Sequence, residues 1–221
     1  MISLDLPLKG ECYVSTCSGR HLYPLAPDAA QIDIEDIAHG LANQPCFHGQ
    51  TSGFYSLAQH SLLVASLVSL PLRLAALLHD AATAYFGEMA PSVRQLLPEF
   101  AIIEKRVMAA IGEKFAIAGF DAPAIKRAHL IAQATEQRDV YPQMVRLAGR
   151  LDRSAPIPRR IELMSPEEAR EQFMEQFVDL CRRDNRPQAP LVTGRGSVPL
   201  ALAAAYGHSR QHKMSGMTKE R

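Results

Sequence analysis

A histidine and an aspartate, His79 and Asp80, stand side by side in an otherwise apolar stretch, Leu-Ala-Ala-Leu-Leu-His-Asp-Ala-Ala-Thr-Ala-Tyr-Phe. Across residues 57–86 the only other Asp, Glu, Lys, Arg or His residues are His60 and Arg73, which indicates a buried environment. A buried carboxylate is costly unless a cation, strong hydrogen bonds or a proton compensates its charge. A metal ion would supply that compensation, and imidazole with carboxylate suits Mn, Fe, Co or Zn.

His60 is the obvious third donor for such an ion, because it belongs to the helix before the doublet. Neighbouring residues on one helix point about 100° apart, yet both can approach an ion held at the edge between two packed helices. A single buried histidine is more often a hydrogen-bonded core residue than a ligand. An Asp–His ion pair could also neutralise the buried charge without metal. However, His60, His79 and Asp80 are nearly the only ionisable residues of a buried hairpin. This favours a metal site over separate hydrogen-bonded side chains.

Capping signals and a proline predict the two helices that must position these side chains. Ser56 followed by Gln59 resembles a capping box and opens a helix that continues until Pro71 interrupts it. Pro71 then fits the first turn of a second helix over about residues 72–86, where Gly87 can terminate it. The two helices should form a tight helical hairpin.

The rest of the chain predicts an all-α domain of about six or seven helices. Residues 1–31 are rich in Gly, Pro and Ser, and their alternating patches indicate an irregular or β-hairpin lead-in. The helical domain should cover residues 32–183, and residues 184–221 should form a mobile tail. Besides the hairpin, helices are predicted over about 32–43, 100–115, 123–140 and 166–183. The inward face of the 100–115 helix is predicted to consist of Ile102, Ile103, Val107, Ala110 and Ile111.

Composition argues against several kinds of partner. Lys and Arg number 24 against 23 Asp and Glu, so no overall field favours nucleic acid or an anionic membrane. No apolar run approaches the length needed to span a bilayer, and the N-terminus lacks the features of a secretory signal. The scattered cysteines favour reduced thiols, so we expect a soluble cytoplasmic protein. They are Cys12, Cys17, Cys46 and Cys181.

Seven short blocks also follow one another in a specific order and spacing. They are Phe-His-Gly-Gln-Thr (47–51), Phe-Tyr-Ser-Leu-Ala-Gln-His-Ser (54–61), Leu-His-Asp-Ala-Ala (78–82), Gly-Glu-Met-Ala-Pro-Ser-Val-Arg (87–94), Ile-Glu-Lys-Arg-Val (103–107), Thr-Glu-Gln-Arg-Asp (135–139) and Ser-Pro-Glu-Glu-Ala (165–169). Over about residues 14–183 this arrangement resembles the HD superfamily of metal-dependent phosphohydrolases, in the branch related to 5'-deoxynucleotidases. The resemblance implies an HD-like helical bundle that hydrolyses a small phosphate ester, and a homodimer is suggested because relatives are often dimers.

The resemblance implies that His60, His79 and Asp80 are metal ligands. The family's last Asp directly follows an Ala, ten residues before an Arg-Asp step, and that position here is His129. Three imidazoles and one carboxylate would still suit Zn, Fe or Co. On the same helical stripe, Glu136 or Asp139 could supply the last ligand if the register shifts.

The residues expected to contact substrate depart from the family pattern. Thr83 stands where many relatives carry a proton-transfer Glu. Cys46 replaces an Arg that can grip phosphate, and Gln50 replaces the usual His of its block. His48 lies close to both replaced positions in sequence and could substitute for one of them.

Two further residues match acidic and basic positions of the family. Glu88 fits a position for substrate contact or proton transfer, the alternative being a solvated loop carboxylate. Arg94 could neutralise a phosphate or simply cover its helix. The predicted site therefore has Asp80 and Glu88 in catalysis and a substrate-binding group. The members of that group are His48, Gln50 and Arg94.

These observations favour a metal-dependent phosphohydrolase acting on a small phosphate ester, with a nucleoside monophosphate as the expected substrate from the resemblance. In an alternative, the chain is a catalytically impaired relative that binds a metal or nucleotide as a sensor or partner module. In a third interpretation, the chain is a helical scaffold in which the His and Asp side chains only form hydrogen bonds with one another.

Overall fold

The computed structural model describes residues 12–142 and 154–184, which belong to one compact unit. As predicted, they form an all-α bundle preceded by a small antiparallel hairpin. The lead-in before residue 12 and the tail from residue 185 onward lie outside the described residues. None of the described helices has the length and apolar character needed to cross a membrane.

The hairpin pairs β1 (Val14–Ser15) with β2 (His21–Leu22), so that Val14 lies opposite Leu22. Eight α-helices are described: α1 (Ile34–Asn43), α2 (Leu57–Ser66), α3 (Arg73–Leu77), α4 (Thr83–Phe86), α5 (Pro91–Arg94), α6 (Pro98–Phe115), α7 (Pro123–Asp139) and α8 (Pro166–Arg183). Three 3-10 turns accompany them, at Ala29–Gln31, Cys46–Gly49 and Leu70–Leu72.

Helix starts follow the capping signals of the sequence. The Ser56 hydroxyl accepts the backbone N–H of Gln59 at 3.1 Å and begins α2. The Gln59 side chain does not complete the predicted capping box, because it donates to the carbonyl of Glu162 and accepts the N–H of Met164. Gln59 thus fastens α2 to the segment before α8, where Ser165 begins the helix with a complete capping box.

The prediction of one helix over residues 72–86 is wrong, since α3 and α4 are separated by a turn at residues 78–82. Within the turn, N–H groups bond to carbonyls three residues back, for example from Ala81 to Leu78 and from Thr83 to Asp80. The Thr83 hydroxyl also donates to the carbonyl of Asp80. This local bond competes with the regular helical pattern, so the His-Asp doublet lies in the turn.

The core lies where α8 packs against α1, α2 and α3. Large side chains fill this space, and burying each one stabilises the fold by about 1.5–3 kcal/mol. Fully or almost fully buried examples are Ile37, Leu41, Leu77, Phe173 and Phe177. On α6, Val107, Ala110 and Ile111 are buried as predicted, whereas Ile102 is 46% exposed and the prediction for it is wrong. The buried residues of α6 are therefore Val107, Ala110, Ile111 and Gly112.

Gly40 lets α1 approach α4, which directly follows the doublet. A Cβ atom at Gly40 would lie 2.6 Å from the carbonyl oxygen of Ala84 and 2.9 Å from its Cβ. We expect Gly40→Ala to lower the free energy of unfolding by about 1–3 kcal/mol, although alanine is the better helix former. Urea denaturation measures this change, and an equally stable or more stable variant would contradict the close approach.

Candidate metal centre

Three histidines and one aspartate converge between α2, α7 and the turn after α3. His60 lies on α2, His79 and Asp80 lie in the turn, and His129 lies on α7. One potential ligand atom from each of the four residues lies within 4.8 Å of the others. The ring centroids of the three imidazoles are 5.0–5.4 Å apart. The structure therefore brings together the four residues that the sequence proposed as metal ligands.

The orientation of His79 is fixed by its backbone neighbour. Its Nδ1 lies 2.8 Å from the carbonyl oxygen of Ala76 and must donate, because a carbonyl can only accept. In the neutral ring, Nε2 then carries the lone pair. Nε2 lies 3.0 Å from Asp80 Oδ2 but has no hydrogen-bond partner among the described residues. This contact is close enough for an Asp–His ion pair but is not aligned as a hydrogen bond, so the lone pair of Nε2 is available to a metal ion.

His60 is held in a similar way by a different partner. Its Nδ1 lies 2.6 Å from Glu136 Oε1, and the hydroxyl of Tyr55 donates to the same oxygen at 2.7 Å. His60, Glu136 and Tyr55 are all buried. On the opposite side of the ring, His60 Nε2 lies 3.7 Å from Asp80 Oδ2. Both His60 and His79 thus direct Nε2 toward Asp80.

Charges within the cluster shift its pKa values in opposite directions. Burial opposes a charge on His60, but the Glu136 carboxylate outweighs it and raises the His60 pKa to about 9. Burial likewise opposes ionisation of Asp80, yet His79 and the other imidazoles hold the Asp80 pKa below its usual range. Burial, followed by the charge of His60, lowers the pKa of His129 to about 4. At neutral pH these shifts leave Asp80 ionised, His129 neutral and His60 protonated, so ligation through His60 Nε2 would require the loss of its proton.

This donor set can hold a divalent metal ion. Two atoms that each lie about 2 Å from a transition metal are at most about 4 Å apart, so a 4.8 Å limit requires side-chain movements of no more than about 1 Å. Imidazole nitrogens and one carboxylate are ligands that Mn, Fe, Co and Zn all accept, so the donor chemistry does not select one of them. The Asp80 side chain is 38% exposed, which leaves one side of the cluster open to solvent.

A cleft of about 970 Å³ opens beside His79 and Asp80, and α6 contributes one wall. Arg94 lines this cleft and forms an ion pair with Glu104, and Lys105 lies nearby on the same wall. Arg94 thus lines the same cleft as His79 and Asp80, and its charge is shared between Glu104 and solvent. Apolar lining is provided by Ala101, Met108, Ile117 and Phe120.

The loop around His48 carries the other residues proposed to contact substrate. Glu88 Oε2 accepts the backbone N–H of His48 at 3.1 Å and lies 4.0 Å from its Nδ1. Phe47 and His48 both have left-handed backbones, with φ of 55° and 56°. Such conformations are costly for residues other than glycine and concentrate at functional sites. Gln50 ends this turn, is exposed, and makes a backbone bond to the Phe47 carbonyl.

The residues at the departures from the family pattern have structural partners. Cys46 is only 3% exposed, and its burial, together with the charges of Glu136 and Glu88, raises the pKa of its thiol. Thr83 directs its hydroxyl to the carbonyl of Asp80, 2.5 Å away. A buried thiol and a hydroxyl bonded to the backbone can neither bind phosphate as an arginine does nor transfer protons as a glutamate does.

Sequence reasoning proposed Glu136 and Asp139 only as alternative ligands and missed the role of Tyr55. Glu136 instead contacts the Nδ1 side of His60. The available signal was a glutamate on the apolar stripe of α7, because a buried carboxylate requires donors. The sequence contains no local sign that Tyr55, 81 residues away, is one of those donors.

Asp139 anchors the segment before α8. Its carboxylate, 3% exposed, accepts two bonds from Arg138, one from Arg160 and one from the N–H of Ile161. The Arg138 hydrogen bonds outweigh burial and hold the pKa of Asp139 below its usual range. This contribution to stability is present above the unfolded-state pKa of about 4 and is lost as the pH falls below it.

We therefore expect Asp139→Asn to lower the free energy of unfolding by about 1–3 kcal/mol at pH 7, because Arg138 and Arg160 are partly exposed and solvent screens part of the attraction. The difference from the unsubstituted protein should shrink as the pH falls from about 4 to 2. Urea denaturation across this range measures it, with Asp179→Asn, which disrupts an exposed pair with Arg183, as the matched control. A difference independent of pH would contradict the assignment.

No protein-family model matches the chain. The uncharacterized protein YfdR of Escherichia coli is 38% identical over 128 residues, covering 58% of this chain and 72% of that protein. An uncharacterized protein of Rhodobacter capsulatus is 35% identical over 183 residues, covering 75% of this chain and 93% of that protein.

Proposed function

The chain belongs to the same family as these Escherichia coli and Rhodobacter capsulatus proteins, and we propose that it is a metal-dependent phosphohydrolase of the HD type. The supporting observation is the convergence of His60, His79, Asp80 and His129 beside an open cleft. The proposed substrate is a small phosphate ester. A nucleoside monophosphate is the favoured example, because the seven sequence blocks resemble those of 5'-deoxynucleotidases.

These four residues would hold a divalent ion, which would supply Lewis acidity to make water a better nucleophile at neutral pH and to offset charge on phosphoryl oxygens. Asp80 contributes the only negative charge within the ligand set. Arg94 and Lys105, on the wall of the cleft, can bind an anionic ester. Glu88 provides a carboxylate for proton transfer and supports the loop that presents His48.

The test combines metal analysis with an activity screen. Protein purified without added metal or chelator is examined by elemental analysis and reconstituted with Mn, Fe, Co or Zn. Phosphate release is then measured from ribonucleoside and deoxyribonucleoside monophosphates. We expect one metal ion per chain and turnover of at least one nucleotide. A negligible metal content, even after reconstitution, would contradict the proposal and favour the interpretation of the chain as a helical scaffold without a metal site.

A second candidate function rests on Thr83 and Cys46. The Thr83 hydroxyl bonds to the backbone, and Cys46 is buried, so neither supplies the proton transfer or phosphate grip of the residues replaced. If the reaction depended on a phosphate-binding arginine and a proton-transfer glutamate at these positions, losing each of them would cost several kcal/mol of transition-state stabilisation. In this case the protein would bind a metal or nucleotide without hydrolysing it. Tight nucleotide binding with no phosphate release across the whole panel would favour this alternative.

A further inference from the structure

We infer that Glu136 is a positioning residue that fixes the tautomer and orientation of His60, so that His60 Nε2 faces Asp80 and the other ligand atoms. The inference rests on the metal site of the proposed function but concerns a residue outside the ligand set. It replaces the idea, open from sequence, that Glu136 is itself a ligand.

The contact between the two side chains is short, buried and shared with a third residue. Glu136 is 0% exposed and His60 is 3% exposed, with 2.6 Å between Oε1 and Nδ1. Tyr55, also 0% exposed, donates its hydroxyl to the same Oε1. An ionised carboxylate can only accept, so the His60 proton in this contact belongs on Nδ1.

The geometry of imidazole makes this position incompatible with ligation by Glu136. The two ring nitrogens point away from each other, so a carboxylate on Nδ1 cannot also reach an ion on Nε2. Glu136 also lies seven residues after His129 on α7, which at 1.5 Å per residue separates their backbones by about 10 Å. His129 is therefore in the cluster of potential ligands, whereas Glu136 lies behind His60.

A carboxylate behind a ligating histidine has two physical effects. It holds the ring in one tautomer and rotation, and its charge makes the opposite nitrogen a stronger donor. Loss of such a partner typically weakens metal binding by about 10–100-fold. His79 has a neutral partner in the same role, the carbonyl of Ala76 at 2.8 Å. Glu136 thus differs from the Ala76 carbonyl in being an ionisable carboxyl group behind a potential ligand.

The experiment compares zinc binding by the full chain with Glu136→Gln and with Tyr55→Phe. Glutamine keeps the size of the side chain but removes its charge. Tyr55→Phe removes the other donor to the same oxygen and leaves the contact with His60. Zinc dissociation constants are measured by competition with a chelator, and folding by circular dichroism. We expect Glu136→Gln to weaken zinc binding by about 10–100-fold and Tyr55→Phe to weaken it much less.

A second measurement does not depend on whether the variant folds. Long-range proton–nitrogen NMR of the zinc-loaded, unsubstituted protein should show the His60 proton on Nδ1. A proton absent from Nδ1 would overturn the inference. Zinc binding unchanged in folded Glu136→Gln, or equally weakened by Tyr55→Phe, would also overturn it. If the unsubstituted protein binds no zinc or other divalent metal, the metal site of the proposed function fails together with the inference. If it binds zinc and Glu136→Gln binds equally well, only the inference fails.

Discussion

His79→Ala and Asp80→Ala are each expected to abolish metal retention and to reduce phosphate release by at least about 1,000-fold. Each substitution removes one of four converging donors, and the Lewis acidity lost with the metal is worth several kcal/mol, or about a factor of ten per 1.4 kcal/mol. Asp80→Ala also removes the negative charge that offsets the ion. Elemental analysis and a phosphate assay measure both losses.

The control for these ligand substitutions is His39→Ala. His39 is an exposed histidine of α1 that contacts Asn43, one turn away. It tests whether any histidine loss affects the metal content, and we expect no change in either readout. Turnover that survives both His79→Ala and Asp80→Ala would place the chemistry elsewhere in the protein.

Glu88→Gln is expected to lower kcat by about 100- to 10,000-fold, the usual contribution of a positioned acid or base. The glutamine oxygen can still accept the N–H of His48, so the loop should keep its shape. Metal content should also be retained, because Glu88 lies outside the four-residue cluster. Steady-state kinetics with the best nucleotide of the screen measure the change.

The matched control for Glu88 is Glu171→Gln, which changes an exposed glutamate of α8 that does not line the cleft beside the cluster. It removes the same charge without touching the His48 loop, and kcat should stay within about twofold, since surface changes away from a site are usually small. If Glu88→Gln also leaves kcat unchanged, Glu88 serves only to anchor the backbone of His48.

Local features of the sequence were enough to predict most of the fold. Asp33 and Ser56 accept N–H groups at the starts of α1 and α2, and Ser165 forms the complete capping box of α8. These interactions join residues two or three apart, so the sequence itself contains both partners. The prediction of a continuous helix was wrong at residues 78–82, where the hydrogen bond from the Thr83 hydroxyl to the Asp80 carbonyl competes with the helical pattern.

The sequence by itself also determined which side chains need compensation. An Asp and two His residues in a hairpin of Leu and Ala must find partners, because burial makes unpaired charge expensive. That reasoning identified His60, His79 and Asp80 from their types and spacing alone.

Only the tertiary structure decided which groups provide the compensation. The stripe on α7 offered His129, Glu136 and Asp139, which lie up to about 15 Å apart along the helix. Packing of α7 against α2 places His129 among the potential ligands and Glu136 behind His60, whereas Asp139 pairs with its neighbour Arg138 and with Arg160 of the segment before α8. Periodicity defines a face of a helix, but the contact between residues 60 and 136 depends on how two helices rotate and slide against each other, which is a property of the packed core.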